Sequence, residues 1–259
     1  MIFYLSDTGN TGWAAKTIAE RTSDRLLFIP ELLRSSSTTF ELRRGENLGL
    51  CFPVHGWRPP MIVREFINRL RINTDGHYVY ALCTAGDNIG ETMDILSKDL
   101  SEKGIRLNAS FSLIMPESYL GLPFFNVDSP NKERAKQETA EKKLNGYLRE
   151  IVDKREVRHL VCGHWPRLNS RLLGGFFVRH LITDKKFAVD SRRCVKCGIC
   201  ADVCPTKNVI GGLGYEPKWK HDGSCIACFA CYHHCPHHAI DYGSLTKHKG
   251  QYFFGRKRN

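Results

Sequence analysis

The sequence predicts a doubly wound α/β domain with a five-stranded parallel sheet in the order 2-1-3-4-5, followed by a small α+β domain built on a cysteine repeat. Three observations predict it. Short apolar runs alternate with helix-period stretches through the first 152 residues. The first of these runs passes directly into a Ser/Thr/Gly/Asn turn, where such a sheet places a phosphate at a helix N-terminus. Eight of the eleven cysteines form two copies of one pattern, 31 residues apart.

The elements follow in order. Residues 2–6 begin abruptly as a buried strand, and a helix runs to about Arg21. With a strand starting at once, no secretory leader is expected. Arg25–Ile29 is a second strand and Asn47–Phe52 a third. Pro59-Pro60 opens a helix through Leu70, since proline loses nothing in a first turn whose N–H groups lack partners. His77–Thr84 is the fourth strand, Asn88–Lys103 a helix, Ile105–Met115 the fifth strand, and Lys132–Val152 a charged closing helix. Residues 153–187 are a basic connector, 188–246 hold the cysteine repeat, and 247–259 are a basic tail. Within the connector, Ser170–Ile182 is apolar on one face and is expected to pack between the domains, although Gly174-Gly175 weakens the helix there. A membrane-surface helix is the minority reading.

The repeat reads Cys194-x2-Cys197-x2-Cys200-x3-Cys204-Pro205 and Cys225-x2-Cys228-x2-Cys231-x3-Cys235-Pro236. Three thiolates on one short loop wrap a cubane cluster, and the x3 step sends the fourth to the other cluster. The expected ligand sets are Cys194, Cys197, Cys200 and Cys235 for one [4Fe–4S] centre, and Cys225, Cys228, Cys231 and Cys204 for the other. Disulfides suit short secreted chains, and zinc ribbons use two Cys-x2-Cys pairs rather than this run. The duplication matches a bacterial-type two-cluster ferredoxin domain.

Cluster thiols must stay reduced, so the expected compartment is the cytoplasm, and oxygen-sensitive clusters point to an anaerobic setting. No run approaches the 18 apolar residues of a membrane span. The net charge is +11, and all the surplus lies in the connector and the tail. That distribution reads either as solvated surface or as a docking face for an acidic redox partner protein. Nucleic acid is not expected, because the basic stretches lack interleaved aromatic platforms.

The loop Ser6-Asp7-Thr8-Gly9-Asn10-Thr11-Gly12 offers hydroxyls, an amide and backbone N–H groups, with no P-loop lysine and no dinucleotide fingerprint. It resembles the FMN-phosphate loop of flavodoxins, with Ser6, Thr8, Gly9, Asn10 and Thr11 as candidate contacts. Two further strand ends lie beside the expected switch point. Pro53, Val54, His55, Gly56 and Trp57 follow the third strand; Thr84, Ala85, Gly86, Asp87, Asn88 and Gly90 follow the fourth. Trp57 is a candidate to stack on the flavin ring. Met115–Leu120 and Leu122–Phe125 are a candidate substrate lid.

Through these loops, both cysteine repeats and the closing Gly250–Phe254, nearly the whole chain resembles a flavodoxin–ferredoxin fusion family of anaerobes. The resemblance implies a flavodoxin-like FMN domain at 1–152 and a two-cluster ferredoxin domain at 188–246. The function expected is electron transfer between FMN and two [4Fe–4S] clusters, linking one- and two-electron partners. Two alternatives stand beside it: an FMN-dependent reductase with its own substrate over the flavin, and an electron-input subunit of a larger complex. No Ser/His/Asp triad or paired carboxylates can be assigned, so no catalytic residue is named. Cys51, Cys83 and Cys162 read as structural thiols, and His233, His234, His237 and His238 cluster around Cys235 without replacing a ligand.

Overall fold

The computed structural model describes residues 1–256; Lys257, Arg258 and Asn259 of the basic tail lie outside the described residues. Three strands, β1 (Ile2–Tyr4), β2 (Leu26–Phe28) and β3 (Leu48–Pro53), alternate with α1 (Asn10–Thr22) and α2 (Ile29–Arg34). Then follow α3 (Met61–Arg69), β4 (Val79–Ala85), α4 (Thr92–Ser101), β5 (Ala109–Ile114) and α5 (Pro130–Val152). Successive side chains of β3 and β4 face opposite ways, as the pleat requires. Leu48, Leu50, Phe52, Val79 and Ala81 join Phe3 and the inward faces of α3 and α4 in one apolar layer. Tyr80 and Leu82 join Phe111 and the inward faces of α1 and α5 in the other. Both faces are therefore covered, which explains the continuous apolar strand sequences.

The sheet has six strands rather than the expected five, in the order β2-β1-β3-β4-β5-β6, all parallel neighbours. The expected order 2-1-3-4-5 persists within it. The addition, β6 (Arg158–His159), lies against Ser110 and Phe111 of β5. Two exposed polar residues carry no strand signal; they form an edge because His159 stacks on Tyr147 at 5.6 Å and on Phe111 at 6.1 Å. So short an edge offers little template for pairing with another chain.

The connector is helical where Gly174-Gly175 argued against it. Pro166–Leu168 (α6), a π-helical segment Asn169–Leu173 and α7 (Gly174–His180) run on without interruption. Gly174 is required by close approach: a Cβ there would overlap the Gly56 carbonyl oxygen. The expectation that the apolar face packs between the domains holds for part of it: Phe177, Val178 and Ile182 border hollows shared with Ile226 of the cysteine domain and with residues of the sheet domain. The helix is anchored by Ser170, whose Oγ donates to the Trp57 carbonyl at 2.8 Å and accepts from Glu91 N–H at 2.7 Å. Phe177 packs inward, while Leu172 and Phe176 point to solvent.

The cysteine domain has a hairpin, β8 (Val209–Gly212) with β9 (Tyr215–Trp219), and a second antiparallel pair, β7 (Phe187–Val189) with β10 (Ile240–Tyr242). Two one-turn helices, α8 (Ile199–Asp202) and α9 (Ala230–His233), close the repeats. The sequence repeat is a backbone repeat: Lys196 and Ala227, Gly198 and Phe229, and Lys207 and His238 all have φ between 48° and 81°. Each pair is separated by the same 31 residues as the cysteines. Left-handed residues at these places wind the chain back around a common centre.

The two domains interlock. Leu120, from the loop after β5, sits in the apolar core with Phe229, Tyr232 and Tyr242. The tail then returns across the joint. Gln251 Nε2 donates to the carbonyls of Tyr232 and Cys235, and Tyr252 O–H donates to Asn10 Oδ1 at 2.5 Å. Phe254 N–H bonds the Thr8 carbonyl at 2.8 Å, and its ring stacks on Trp13.

Candidate cofactor sites

At the C-terminal ends of β1, β3 and β4 lies a cavity of about 1120 Å³, its open mouth included. Thirteen of the sixteen expected flavin contacts line it: Thr8, Asn10, Thr11, Pro53, Val54, His55, Gly56, Trp57, Thr84, Ala85, Gly86, Asp87 and Asn88. Ser6, Gly9 and Gly90 stand behind it. Ser6 Oγ accepts the Gly12 N–H at 2.9 Å and so holds the loop to the first turn of α1. Gly9, at φ 95°, ends 3.0 Å from the Phe254 side chain when given a Cβ. Gly90 leaves room for the Ser170 hydroxyl and the Trp57 side chain.

The loop is preorganised. Thr11 Oγ1 bonds Thr84 Oγ1 at 2.8 Å, joining two of the three strand ends. Asn10 is a strut, donating from Nδ2 to the Pro116 carbonyl at 3.2 Å while accepting from Tyr252. Among the described residues, no protein acceptor meets the N–H groups of Asn10 and Thr11. An anion at this helix start would meet free donors and the positive end of the helix dipole. His55 Nε2 donates to Asp7 Oδ2 at 2.8 Å, while Asp7 Oδ1 and Asn88 Oδ1 are buried without a partner. Such orphan acceptors in a cavity wall suit a ligand rich in hydroxyl and N–H donors. FMN, with its ribityl hydroxyls, ring N–H and single phosphate, fits this set.

The far wall comes from segments with weaker sequence signals. Glu117, Ser118, Tyr119, Leu122 and Phe125 line it, in the stretch read as a lid, with Phe177 of the connector. Tyr119 meets Phe177 and Phe125 edge-on at 5.1 and 6.0 Å. Gly86 exists to admit the Glu117 carboxyl, which overlaps any Cβ placed there. Burial pushes the Glu117 pKa up, against N–H bonds from Tyr119 and Ser118 to its Oε1. The remaining wall is Ile226, Ala227 and Cys228 of the second cysteine motif. Nothing in a single sequence announced that contact, because it depends on how the domains dock. Cys51 and Cys83 do not line the cavity; burial alone pushes Cys51 up to about 12 and leads the rise at Cys83, so both are inert thiols.

A second hollow is lined by Cys194, Cys197, Cys200 and Cys235 and by no other cysteine. Cys235 arrives from the second motif, as the x3 step requires. Burial pushes Cys200 up to about 11, with Cys235, Cys197 and Cys194 adding to the rise. The other four group likewise. Burial pushes Cys225 up to about 12 with Cys204 contributing, and raises Cys231 with Cys225, Cys204 and Cys200 contributing. Cys200 therefore lies close to both sets. Sulfurs so desolvated hold their protons until a cation replaces them. Matching bonds run from Asn208 N–H to Cys204 Sγ and from Ala239 N–H to Cys235 Sγ, both 3.2 Å, donors that tune a cluster's potential. Among the described residues no three His, Cys, Asp or Glu side chains converge on one mononuclear ion.

His233 is not a ligand but a bracket between domains. Its Nε2 donates to the Ser118 carbonyl at 2.7 Å and its Nδ1 accepts from Tyr252 N–H at 3.1 Å. Burial pulls its pKa down to about 4. His234 stacks on Phe253 at 4.2 Å.

Residues 186–236 match the family described as 4Fe-4S dicluster domain. This region is a 4Fe–4S iron–sulfur domain, and the chain has a redox, electron-transfer character. No curated protein matches the chain. Among solved structures, a candidate flavoprotein from Bacteroides uniformis ATCC 8492 is 21% identical, covering 44% of this chain and 88% of its own, with a TM-score of 0.35. The rubredoxin oxygen:oxidoreductase from the anaerobe Desulfovibrio gigas is 17% identical over 59% and 36%, with a TM-score of 0.34. The Trp repressor binding protein from Bacillus subtilis is 12% identical over 57% and 96%, with a TM-score of 0.35. Likenesses this distant carry no argument, and the site must speak for itself. Among the described residues no helix is long and apolar enough to cross a membrane.

Proposed function

We propose that the chain passes electrons within itself, between FMN held at residues 1–152 and two [4Fe–4S] clusters held at 188–246. The observation that carries this is the shared wall: Cys228, a ligand of the second cluster, lines the cavity that fits FMN. When bound, FMN supplies two-electron chemistry deliverable in single steps, and the clusters supply one-electron transfer.

The chain's residues have distinct parts in this reading. Thr8, Thr11 and the first-turn N–H groups of α1 receive the phosphate. Asp7 and Asn88 offer acceptors to the polyol and the ring edge, and Trp57 gives an aromatic face. Tyr119, Phe125 and Phe177 roof the cavity and restrict water. Cys225, Cys228, Cys231 and Cys204 hold the inner cluster; Cys194, Cys197, Cys200 and Cys235 hold the outer one. The outer set lies beneath the exposed hairpin residues Leu213 and Tyr215, where a one-electron protein partner has access. The exposed edge at the outer cluster favours the carrier, while the open mouth of the cavity is the feature that a reductase with its own substrate would use.

The expected basic docking surface is smaller than the charge count implied. Lys249 Nζ donates to the carbonyls of Leu120 and Leu122, and Arg193 pairs with Asp190 and Asp241. Arg192 also pairs with Asp190, at 3.3 Å, while its side chain stays 90% exposed.

The test is rapid reduction of one centre in holoprotein, with flavin absorbance followed over time. The reading requires equilibration at a rate independent of protein concentration. Equilibration that is second order in protein, or absent, sinks it, as does release of FAD rather than FMN on denaturation.

A further inference from the structure

The connector helix is packed back to front. Its small residues do the anchoring, with Ser170 bonded to the Trp57 carbonyl and Gly174 pressed on the Gly56 carbonyl. While Phe177 packs inward, several of its large apolar residues face outward: Trp165 is 75% exposed, Leu172 64% and Phe176 58%, with Leu168 and Leu173 about half exposed. Leu168, Leu172 and Phe176 recur every four residues along the helical segments, and Trp165 stands at their N-terminal cap. Single exposed apolar residues are ordinary, but five along one short helical stretch are not. Of these, Phe176 meets the ring of His180 on the same helix at 4.8 Å. Phe124 at 98% exposure belongs to the loop whose next residue, Phe125, is linked through Tyr119 to Phe177 of the same helix.

Around this stripe the charge is positive. Arg167 and Arg171 share the one carboxylate of Glu91, and among the described residues Arg179 and Lys185 meet no carboxylate. An apolar ridge with an indole at one end and flanking guanidinium groups is complementary to an anionic lipid surface. The aromatic and aliphatic groups enter the acyl boundary while the cations meet headgroups.

We infer that the outward face of the helix spanning Trp165 to Phe176 docks the protein on membranes containing anionic lipid, as a peripheral rather than a spanning contact. The mouth of the cavity, roofed by Phe125 and Phe177, would then stand at the lipid boundary. The docking itself does not depend on the cavity holding FMN.

The experiment uses the full chain with its iron in place. It is sedimented with vesicles of phosphatidylcholine alone, and with vesicles also containing about one third phosphatidylglycerol, at low and high salt. Preference for the anionic vesicles by about tenfold or more, weakening with salt, is expected. The double substitution Leu172→Glu/Phe176→Glu should abolish sedimentation while iron content stays at the parent level. Arg179→Ser/Lys185→Ser should weaken it only for the anionic vesicles. Absent binding, equal binding to both vesicle types, or binding that ignores Leu172→Glu/Phe176→Glu overturns the inference. So does a dimer, seen by light scattering, that this double substitution converts to monomer without vesicle binding in the parent: the face would then belong to a second copy of the chain.

Discussion

The sheet domain carries a full apolar layer on each face, with Phe3, Phe66 and Leu96 in one and Phe111, Leu144 and Tyr147 in the other. The cysteine domain has a single small core around Phe229, Tyr232 and Tyr242, and it borrows Leu120 from its neighbour. At about 60 residues a domain buries too little surface to be comfortable without staples. One half is thus held by its own side chains, while the other gathers its cysteines around a small core and is expected to depend on iron bound to them. The difference teaches that a cavity at strand ends and a cysteine motif can share a wall while their domains obey different rules of stability.

Removing iron is the sharpest way to break the comparison. Ligation of a structural metal contributes on the order of 10 kcal/mol to a small domain. Chelation should therefore strip hydrogen-exchange protection from residues 186–246 while the amides of β3 and β4 stay protected. Loss of protection in both regions together would show one cooperative unit. Next in size is Phe111→Ala in the sheet domain, expected to cost about 3–5 kcal/mol in urea unfolding. Iron per chain should not change; if it falls, the sheet supports the clusters more directly than the layers suggest.

Tyr252→Phe probes the joint. It leaves the buried Asn10 Oδ1 without its donor, at a cost of about 1–3 kcal/mol. FMN titration by fluorescence should show weaker binding with both clusters intact; unchanged affinity would leave the strut without influence on the loop. The smallest effect concerns acid. Glu46 is held down to about 2 although burial works the other way, because Arg25, the Arg43 N–H and the N-terminal ammonium bind its carboxylate. A carboxyl lowered on folding contributes stability that is complete above its ordinary pKa of about 4.5 and is lost as pH falls toward 2. Glu46→Gln should flatten the loss of sheet-domain melting temperature over that range, and an identical slope in both proteins would discount the cluster of charges.

Much of this was legible in the sequence for physical reasons. Buried parallel strands leave apolar runs, and a cubane fixes cysteine spacing, so β3, β4 and both cysteine sets could be read directly. Thr8, Trp57 and Thr84 follow from one topological rule about strand ends. What escaped was decided by tertiary contact. The strand at Arg158–His159 depends on a ring stack with Tyr147, α2 on six residues too few for periodicity, and the helix through Gly174 on one carbonyl of Gly56. Lys249 counts as a surface charge in any composition, yet its ammonium caps two carbonyls.

The returning tail has a consequence for synthesis. Asn10 and its partner Tyr252 stand 242 positions apart, so the loop that holds Asn10 is closed only after that length of chain has been made. Tyr252 is delivered by a segment tied through Gln251 to the carbonyl of Cys235. Cys235 also belongs to an expected cluster set, so a chain without iron is expected to hold that segment less firmly. Under the proposed function, Gln251 and Tyr252 would therefore couple retention of FMN to prior loading of metal. Pulse-labelled chains made in iron-starved cells should emerge poor in both cofactors, whereas flavin-starved chains should still carry iron.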